Sequence, residues 1–338
     1  MKRTISFDDL VEKLTAILVA HRMSETAARV IAGRMAQAQQ DGAVSHGLLR
    51  LPGYIATLES GWVDGAAVPS AEDAAPGILR VDARNGFAQV AIEFAREPLM
   101  RKARENGIAI LAVRNSHHFA ALWPDVEPFA RAGFVAISFV NAKSRMLIWD
   151  GDKKLLGTNP LAFACPRKNA DPLVFDQASS VVAQGEVLLA AKEGRLVADG
   201  IGTDSQGRPT RDPNAILEGG AMRPFGGHKG SSIAFMVEVM AAAITGGQFG
   251  YEHDQTGYPA AQTTRAGQCV ILIDPNRSAG SSFGARIEAL LKQAAASGVS
   301  RLPAAHRYAR REKSRTAGIP ISDDAWELIE TLSARAKR

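Results

Sequence analysis

Two adjacent histidines, His117 and His118, stand in the stretch VRNSHHFAALWP (113–124), where a β-rich run ends. An imidazole can bind a metal ion or exchange a proton near neutral pH. Neighbouring side chains on an extended backbone point to opposite sides, so this pair is a poor chelate for one ion. No HExxH motif and no cysteine cluster accompanies it. We therefore predict no metal site, and interpret the stretch as a binding turn or a buried, hydrogen-bonded pair.

A second polar patch lies in DGAVSHGLLRLPGY (41–54), which combines Ser45, His46 and Arg50. An arginine can hold a carboxylate through two hydrogen bonds while a histidine exchanges a proton beside it. The patch thus suits a small carboxylate substrate. The alternative is a surface Ser–His pair with no role. Pro52 favours a helix that begins near Arg50.

Two further segments could bind a ligand. RPFGGHKGSS places His228 and Lys229 between glycines and the start of an apolar helix, an arrangement that suits a phosphate or a carboxylate. The alternative is a loop that only turns. LLGTNPLAFACP and LVFDQASSVVAQGE are rich in polar residues, among which Asp176 and Glu186 are candidates to orient a histidine. No GxGxxG and no GxxxxGK[ST] motif is present, so a nucleotide would have to bind by other means.

Helices and strands must position these residues. Helices are predicted near 6–21, 24–40 and 50–60, with Ser6 and Ser24 as N-caps. From residue 77 onward, β-branched runs predict the strands of a sheet: GILRVDA, GIAILAVRN, FVAISFVNA, LAFACP, PLVFDQ and QCVILIDP. The final segment, PISDDAWELIETLSARAKR, is predicted to be a helix. We expect an α+β chain.

Composition limits the class of protein. The 338 residues are 46% apolar and 22% charged, which is typical of a globular chain. No apolar run reaches the length of a membrane helix. Acidic residues near the start interrupt the apolar core that a signal peptide would need. Cys165 and Cys269 cannot form a disulfide framework. We expect a cytoplasmic protein with no membrane partner.

A basic run, RLPAAHRYARREKSR (301–315), can contact the phosphates of a nucleotide or of a nucleic acid, or can be a solvated surface. Aromatic residues are not interleaved with its cations as stacking platforms for bases would require. We therefore expect no nucleic-acid partner.

Five motifs together resemble one family. SHGLLRLPGY, NSHHF, GTNPLAFACP, FDQASS and PFGGHKG follow one another in the order found in the malate/L-lactate dehydrogenase-like family of NAD(P)-dependent oxidoreductases. The resemblance covers nearly the whole chain and implies a non-Rossmann cofactor domain on a mostly antiparallel sheet, in a homodimer. It also implies a helical part, residues 1–75, that packs with 310–338. Residues 76–309 would form the NAD(P)-binding and substrate-site domain.

One motif departs from the usual family form. The family reads close to N-S-x-H-F-G-A-A-G, whereas this chain continues as HHFAALWPDVEPFA. The variant resembles the Δ1-piperideine-2-carboxylate/Δ1-pyrroline-2-carboxylate reductases, which reduce cyclic imines to L-pipecolate and L-proline with NADPH. The resemblance thus implies an imine reductase of proline, pipecolate and lysine metabolism. Two alternatives remain: a 2-hydroxy-acid dehydrogenase of the same family, acting on malate, lactate or ureidoglycolate, and a non-catalytic nucleotide- or nucleic-acid-binding protein.

The resemblance also implies residue roles. His46 would donate the proton to the substrate nitrogen, with Ser45 and Glu186 in a relay beside it; Asp176 is the alternative relay acid, and His118 the alternative donor. Arg50 would hold the carboxylate of the cyclic imine or keto acid. The residues expected to contact the cofactor are His118, Phe119, Ala120, Ala121, Leu122, Thr158, Asp176, Gln177, Ala178, His228, Lys229, Arg301 and Arg307. The basic run fits the 2′-phosphate of NADPH better than the ribose of NADH, which would bind more weakly.

Overall fold

The computed structural model describes residues 3–336, which begin with a short strand and end with a helix. The first two helices start where predicted, because the hydroxyls of Ser6 and Ser24 accept hydrogen bonds from backbone N–H groups of the first turn at 3.1 and 3.3 Å. The helices are α1 (Phe7–Ala20), α2 (Glu25–Gln40), α3 (Leu51–Glu59), α4 (Ala88–Asn106), α5 (Trp123–Arg131), α6 (Gln184–Lys192), α7 (Pro213–Leu217), α8 (His228–Glu238), α9 (Phe283–Ala296), α10 (Ala305–Ala317) and α11 (Asp323–Ala336). None of these helices is long and apolar enough to cross a membrane.

A seven-stranded sheet forms the centre of the molecule. The strands of residues 3–336, including those outside this sheet, are β1 (Arg3–Ile5), β2 (Ser70–Ala75), β3 (Ile78–Phe87), β4 (Ile108–His118), β5 (Val135–Val140), β6 (Leu161–Arg167), β7 (Ala170–Gln177), β8 (Gly202–Thr203), β9 (Pro209–Thr210), β10 (Ala221–Met222), β11 (Thr264–Ile273) and β12 (Ile319–Ile321). The central sheet has the order β2-β3-β4-β11-β5-β6-β7, and within it β3 and β4 pair in parallel while the other neighbours are antiparallel. The expected α+β fold with a mostly antiparallel sheet is confirmed.

Two hydrophobic cores include residues next to the segment that carries Ser45 and His46: Ala43 packs against one, and Leu48 lies in the other. One core lies between the central sheet and helices α4 and α5. The other joins the N-terminal helices to apolar side chains of β12 and α11, and β1 pairs with β12 beside it. We propose, as the resemblance implied, that residues 1–75 with 310–338 form one unit and 76–309 another. Two elements cross these bounds. β2, which lies within residues 1–75, pairs with the central sheet, and α10 continues from residues before 310 to residues after it.

A buried ion cluster fixes the segment that precedes the Ser–His pair. Asp41 accepts hydrogen bonds from Trp123 Nε1 at 2.9 Å and from Arg311 Nε at 2.6 Å, and Arg311 Nη2 also donates to Glu127 Oε2 at 2.7 Å. Removing one partner of such a buried pair costs about 3–5 kcal/mol, because the other charge is left uncompensated. The cluster therefore holds α5 and α10 against the start of the turn that carries Ser45.

Candidate active site

Two short 3-10 turns, Val44–His46 and Leu48–Arg50, hold the predicted Ser–His–Arg patch together. Ser45 Oγ and His46 Nδ1 are 3.1 Å apart, and Arg50 Nε donates to the carbonyl oxygen of Ser45 at 2.9 Å. The turn thus folds the guanidinium of Arg50 back onto the residue before His46. The sequence predicted this proximity, and α3 begins at Leu51, next to Arg50, as Pro52 indicated. It did not predict the two tight turns before that helix.

His46 and Arg50 are both half-buried, and burial lowers the pKa of each side chain. Burial, together with the charges of Arg50 and the nearby His118, lowers the pKa of His46 to about 4. His46 is therefore neutral at neutral pH. Burial also lowers the pKa of Arg50, whose guanidinium lies 4.3 Å from the centre of the Phe119 ring. A cation held in this way suits a carboxylate ligand.

His118, at the end of β4, contacts a buried acid that the sequence analysis did not select. Its Nε2 lies 3.1 Å from Oδ2 of Asp125, a residue in the first turn of α5 that is 1% exposed. The same oxygen accepts a hydrogen bond from Gln268 Nε2 at 3.1 Å. The available signal was the position of Asp125, seven residues after His118, where a strand end meets a helix start.

His117 faces the other side of β4, as the alternation along a strand predicted. It is fully buried, and its ring nitrogens lie 2.9 Å from Thr263 Oγ1 and 3.0 Å from Asn85 Oδ1. The Trp62 ring packs edge-on at 5.6 Å between centroids. Burial lowers the pKa of His117 to about 3, with Arg265 adding to the effect. His117 is therefore a neutral core histidine.

Backbone hydrogen bonds bring most of the predicted cofactor residues together. The turn His118–Leu122 meets the end of β7 where Leu122 N donates to Asp176 Oδ2 at 3.1 Å. After β7, the N–H of Ser179 donates to the carbonyl oxygen of Thr158 at 2.7 Å, and Phe225 N donates to Ser179 O at 3.0 Å. Residues 118–122, 158, 176–178 and the loop before α8 therefore border one region.

The loop before α8 has the chemistry of a phosphate site. Gly226 and Gly227 have φ values of +56° and +63°, and the space where a Cβ would stand is open at both. His228 and Lys229 follow, exposed, in the first turn of the helix. An approachable backbone, a helix N-terminus and a lysine together fit the pyrophosphate of a dinucleotide.

The two predicted arginines of the basic run lie in different surroundings. Arg307 is 9% exposed; its Nη2 donates to Val174 O at 2.8 Å, and its guanidinium lies 4.7 Å from the Trp123 ring. Its Nη1 is 4.0 Å from Asp176 Oδ1. Arg307 thus lies beside Asp176, the residue that joins the end of β7 to the turn 118–122. Arg301 is exposed before α10 and is open to an anionic group.

The two predicted relay acids do not contact a histidine in the described part of the chain. Asp176 instead accepts the N–H of Leu122, and burial raises the pKa of its carboxyl. Glu186 is exposed in the first turn of α6, but the preceding Gly185 borders the patch: a Cβ there would lie 3.8 Å from Ser45 Cβ. The relay role of either acid stays a prediction.

Two further residues beside Arg50 escaped the sequence analysis. Tyr54 is buried, and its hydroxyl has no hydrogen-bond partner among residues 3–336. Arg145 is half-buried, and both burial and the charge of Arg50 lower its pKa. Tyr54 could have been found from its position four residues after Arg50, but no pattern in the sequence singles out Arg145. Within the same described range, no group of three or more His, Cys, Asp or Glu residues could hold a metal ion.

Comparison with known proteins identifies the family. Residues 5–330 match the family described as malate/L-lactate dehydrogenase. The chain belongs to this family. It is 49% identical over 328 residues to the Δ1-pyrroline-2-carboxylate/Δ1-piperideine-2-carboxylate reductase of Pseudomonas putida, covering 97% of this chain and 96% of that protein. It is 50% identical over 331 residues to the protein of the same name from Pseudomonas syringae pv. tomato, covering 98% and 96%.

A solved structure agrees with these relatives. The crystal structure of Δ1-piperideine-2-carboxylate reductase from P. syringae pv. tomato superposes with a TM-score of 0.96 at 50% identity, covering 98% of this chain and 99% of that one. The family that the five motifs predicted is therefore confirmed, and with it the class of oxidoreductase.

Proposed function

We propose that this protein is an NADPH-dependent reductase of cyclic imine carboxylates, which converts Δ1-piperideine-2-carboxylate to L-pipecolate and Δ1-pyrroline-2-carboxylate to L-proline. The observation that carries the proposal is that Arg50 and His118 both lie close enough to His46 for their charges to lower its pKa, beside the residues predicted to bind the cofactor. The names of relatives that are 49% and 50% identical support this choice of substrate.

The chemistry follows from the substrate. The carbon of a C=N bond accepts hydride readily once the nitrogen is protonated, and a bound nicotinamide supplies the hydride. Arg50 would hold the substrate carboxylate, and an imidazole would provide the proton at the nitrogen. The remaining task of the protein is to hold the imine carbon in line for hydride transfer.

The proposed cofactor site runs along the region described above. The turn 118–122 and Thr158 would border the nicotinamide, and the loop 226–229 would hold the pyrophosphate. The exposed Arg301 would meet the 2′-phosphate, which favours NADPH over NADH. We include in the proposal a cytoplasmic homodimer; the two buried free cysteines are compatible with a reducing compartment.

A substrate panel tests the function. Purified protein would be given NADPH with Δ1-piperideine-2-carboxylate, Δ1-pyrroline-2-carboxylate, pyruvate or oxaloacetate, and the loss of NADPH absorbance followed. We expect turnover of the cyclic imines and little turnover of the keto acids. Turnover of a keto acid alone would instead support the 2-hydroxy-acid dehydrogenase. No turnover, with salt-sensitive binding of polyanions, would support the non-catalytic alternative.

A further inference from the structure

A small basic cavity lies beside the Ser–His–Arg patch. Its volume is about 190 Å³, several times the roughly 30 Å³ that one water molecule occupies in the liquid, so a carboxylate group fits inside it. The cavity is lined by three cationic residues, Lys143, Arg145 and Lys154, and by the amide residue Gln184. Apolar residues of α7 and β10 line much of the rest. This cavity therefore has the charge and the size of a binding site for a small anion.

The cavity adjoins Arg50, the residue proposed to hold the substrate carboxylate. Gln184 lines the cavity, and Gly185 follows it in the chain. A Cβ on Gly185 would lie 4.0 Å from Arg50 Nη2 and 3.8 Å from Ser45 Cβ. Burial, together with the charge of Arg50, lowers the pKa of the Arg145 guanidinium. The two guanidinium groups are therefore close enough to repel each other, and the cavity lies next to the place proposed for the substrate.

The three cations of the cavity form no ion pair with an acid among residues 3–336. Arg311, which is half-buried like Arg145, instead binds the carboxylates of Asp41 and Glu127. A cation that is partly removed from water without a paired anion destabilises the folded protein. The cavity therefore holds positive charge that an anionic ligand could compensate.

The cations also act on one another. Burial, together with the charges of Arg145 and Lys154, lowers the pKa of Lys143, and the exposed Asp254 offsets this effect only in part. Like charges that are held together in this way repel each other, and a bound anion would reduce the repulsion. Carboxylates suit the cavity because arginine and lysine form short, charged hydrogen bonds with them.

The predicted cofactor residues lie elsewhere. None of them lines this cavity in the part of the chain that the structure describes. Residues 226–228, which belong to the loop proposed for the pyrophosphate, line a different cavity. A ligand that reaches the three cations is therefore expected from the side of Arg50, where the substrate is proposed to bind, rather than from the cofactor.

We propose that Lys143, Arg145 and Lys154 form a second anion subsite, which takes the second carboxylate of a cyclic dicarboxylate whose first carboxylate is held by Arg50. The inference rests on the proposed function, because that function assigns the first carboxylate to Arg50. It widens the class of ligands from cyclic imine monocarboxylates to cyclic imine dicarboxylates. The second carboxylate takes no part in the hydride transfer and contributes only to binding.

The first test compares ligands that differ by one carboxylate and needs no turnover. Pyridine-2-carboxylate keeps the ring nitrogen and the first carboxylate of the imine, and pyridine-2,4-, 2,5- and 2,6-dicarboxylate add a second carboxylate in three directions. Isothermal titration calorimetry of the wild-type protein with NADP⁺ present would measure each Kd. We expect at least one dicarboxylate to bind about tenfold or more tightly than the monocarboxylate, because it adds hydrogen bonds between charged groups. Equal or weaker binding of all three dicarboxylates would overturn the proposal.

The second test removes the cations one at a time. The Kd of the monocarboxylate divided by that of the tightest dicarboxylate is the dicarboxylate advantage, a ratio in which any change common to both ligands cancels. We expect Arg145→Met and Lys154→Met each to reduce this advantage by about threefold or more, because a charged hydrogen-bond donor is lost. An advantage as large as that of wild type in both variants would contradict the subsite. If Arg145→Met does not fold, Lys154→Met, at an exposed position, decides alone.

A matched control separates the cavity from the general charge of the surface. Lys153 is exposed like its neighbour Lys154 and carries the same charge, but it lines a different cavity. We expect Lys153→Met to retain the dicarboxylate advantage of wild type, since water and salt screen a charge outside the cavity. An equal loss in Lys153→Met and Lys154→Met would assign the advantage to the surface charge and overturn the subsite.

A cofactor titration tests the other source of an anionic group. The affinity for NADPH, measured by fluorescence, should be the same in Lys154→Met as in wild type. A loss of NADPH affinity with an unchanged dicarboxylate advantage would assign the cations to a phosphate of the cofactor and overturn the proposal.

The outcomes also distinguish this inference from the proposed function. Wild type that reduces the cyclic imines but shows no dicarboxylate advantage would retain the function and overturn the subsite. Wild type that reduces no imine but shows an advantage that depends on Arg145 and Lys154 would retain the subsite and overturn the function.

Discussion

His117 and His118 are neighbours on one strand, yet their surroundings differ in every respect that matters for chemistry. His117 is enclosed by Thr263, Asn85 and the Trp62 ring, where neutral partners and burial keep it uncharged. His118 contacts the buried carboxylate of Asp125 on the side that faces the Ser–His–Arg patch. The same residue type is thus a core histidine on one face of β4 and a site histidine on the other. The difference shows that the partner, more than the residue, determines what an imidazole can do.

The largest expected effect separates the two histidines by activity. His118→Gln should lower kcat for the cyclic imine by about 10²–10⁴-fold, because a proton donor is lost. His117→Gln should keep kcat within about threefold, since an amide can still bond Asn85. Steady-state kinetics of both variants, checked for folding by circular dichroism, measures this. A similar loss of kcat in the two variants would show that the two histidines do not differ in their importance for turnover.

The next prediction tests whether Arg50, on the site face, binds the substrate carboxylate. Arg50→Met should raise KM for the imine carboxylate by about 100-fold, because the charged hydrogen bonds to the carboxylate are lost. The change should leave NADPH affinity, measured by fluorescence titration, nearly as in wild type. An unchanged KM would remove Arg50 from the substrate site.

The third effect concerns the core face and its dependence on pH. The pKa of His117 is about 3 in the folded protein, below the ordinary value near 6.5, so the unfolded chain binds more protons between these values. Stability from this residue is therefore present above pH 6.5 and is lost as pH falls, by about 2 kcal/mol at pH 5. Urea unfolding at pH 7 and pH 5 should show a smaller difference for His117→Gln than for wild type. Equal differences would place a charged histidine in the core.

The smallest effect removes one neutral partner. Thr263→Val deletes the hydroxyl 2.9 Å from His117 Nδ1 and should lower the free energy of unfolding by about 1–3 kcal/mol, since a buried nitrogen loses its partner. We expect no change in kcat beyond about threefold. A large loss of kcat with an unchanged free energy of unfolding would show that the surroundings of His117 influence catalysis on the other face of β4.

Much of the architecture could be predicted from local patterns. Ser6 and Ser24 cap the helices that their side chains indicated, and β3, β4 and β5 occupy the β-branched runs. The apolar helix predicted to follow Lys229 is α8, which already begins at His228 and is followed by a π-helical turn at Val239–Ala243. Glycine and lysine before position 231 concealed this start, because they are as typical of a loop as of a helix N-terminus.

The pairing of charged groups was less predictable. The cofactor role of Arg307 stays a prediction, but nothing in the sequence indicated that its guanidinium would bond Val174 O and lie over Trp123. Asp125 was passed over because a single acid near a histidine has no characteristic pattern. Such contacts depend on how strands and helices come together, and spacing along the chain does not specify that.

The sequence by itself determined that His117 and His118 face opposite sides, because side chains alternate on any extended strand, and it determined the family through five motifs in order. Only the tertiary structure decided which side is the core and which the site. Thr263, 146 positions from His117, and Gln268, 143 positions from Asp125, reach them through the strand β11 and the chain just before it. Burial by distant elements sets the charge of each imidazole, since desolvation and a neighbouring carboxylate act through space and not along the chain.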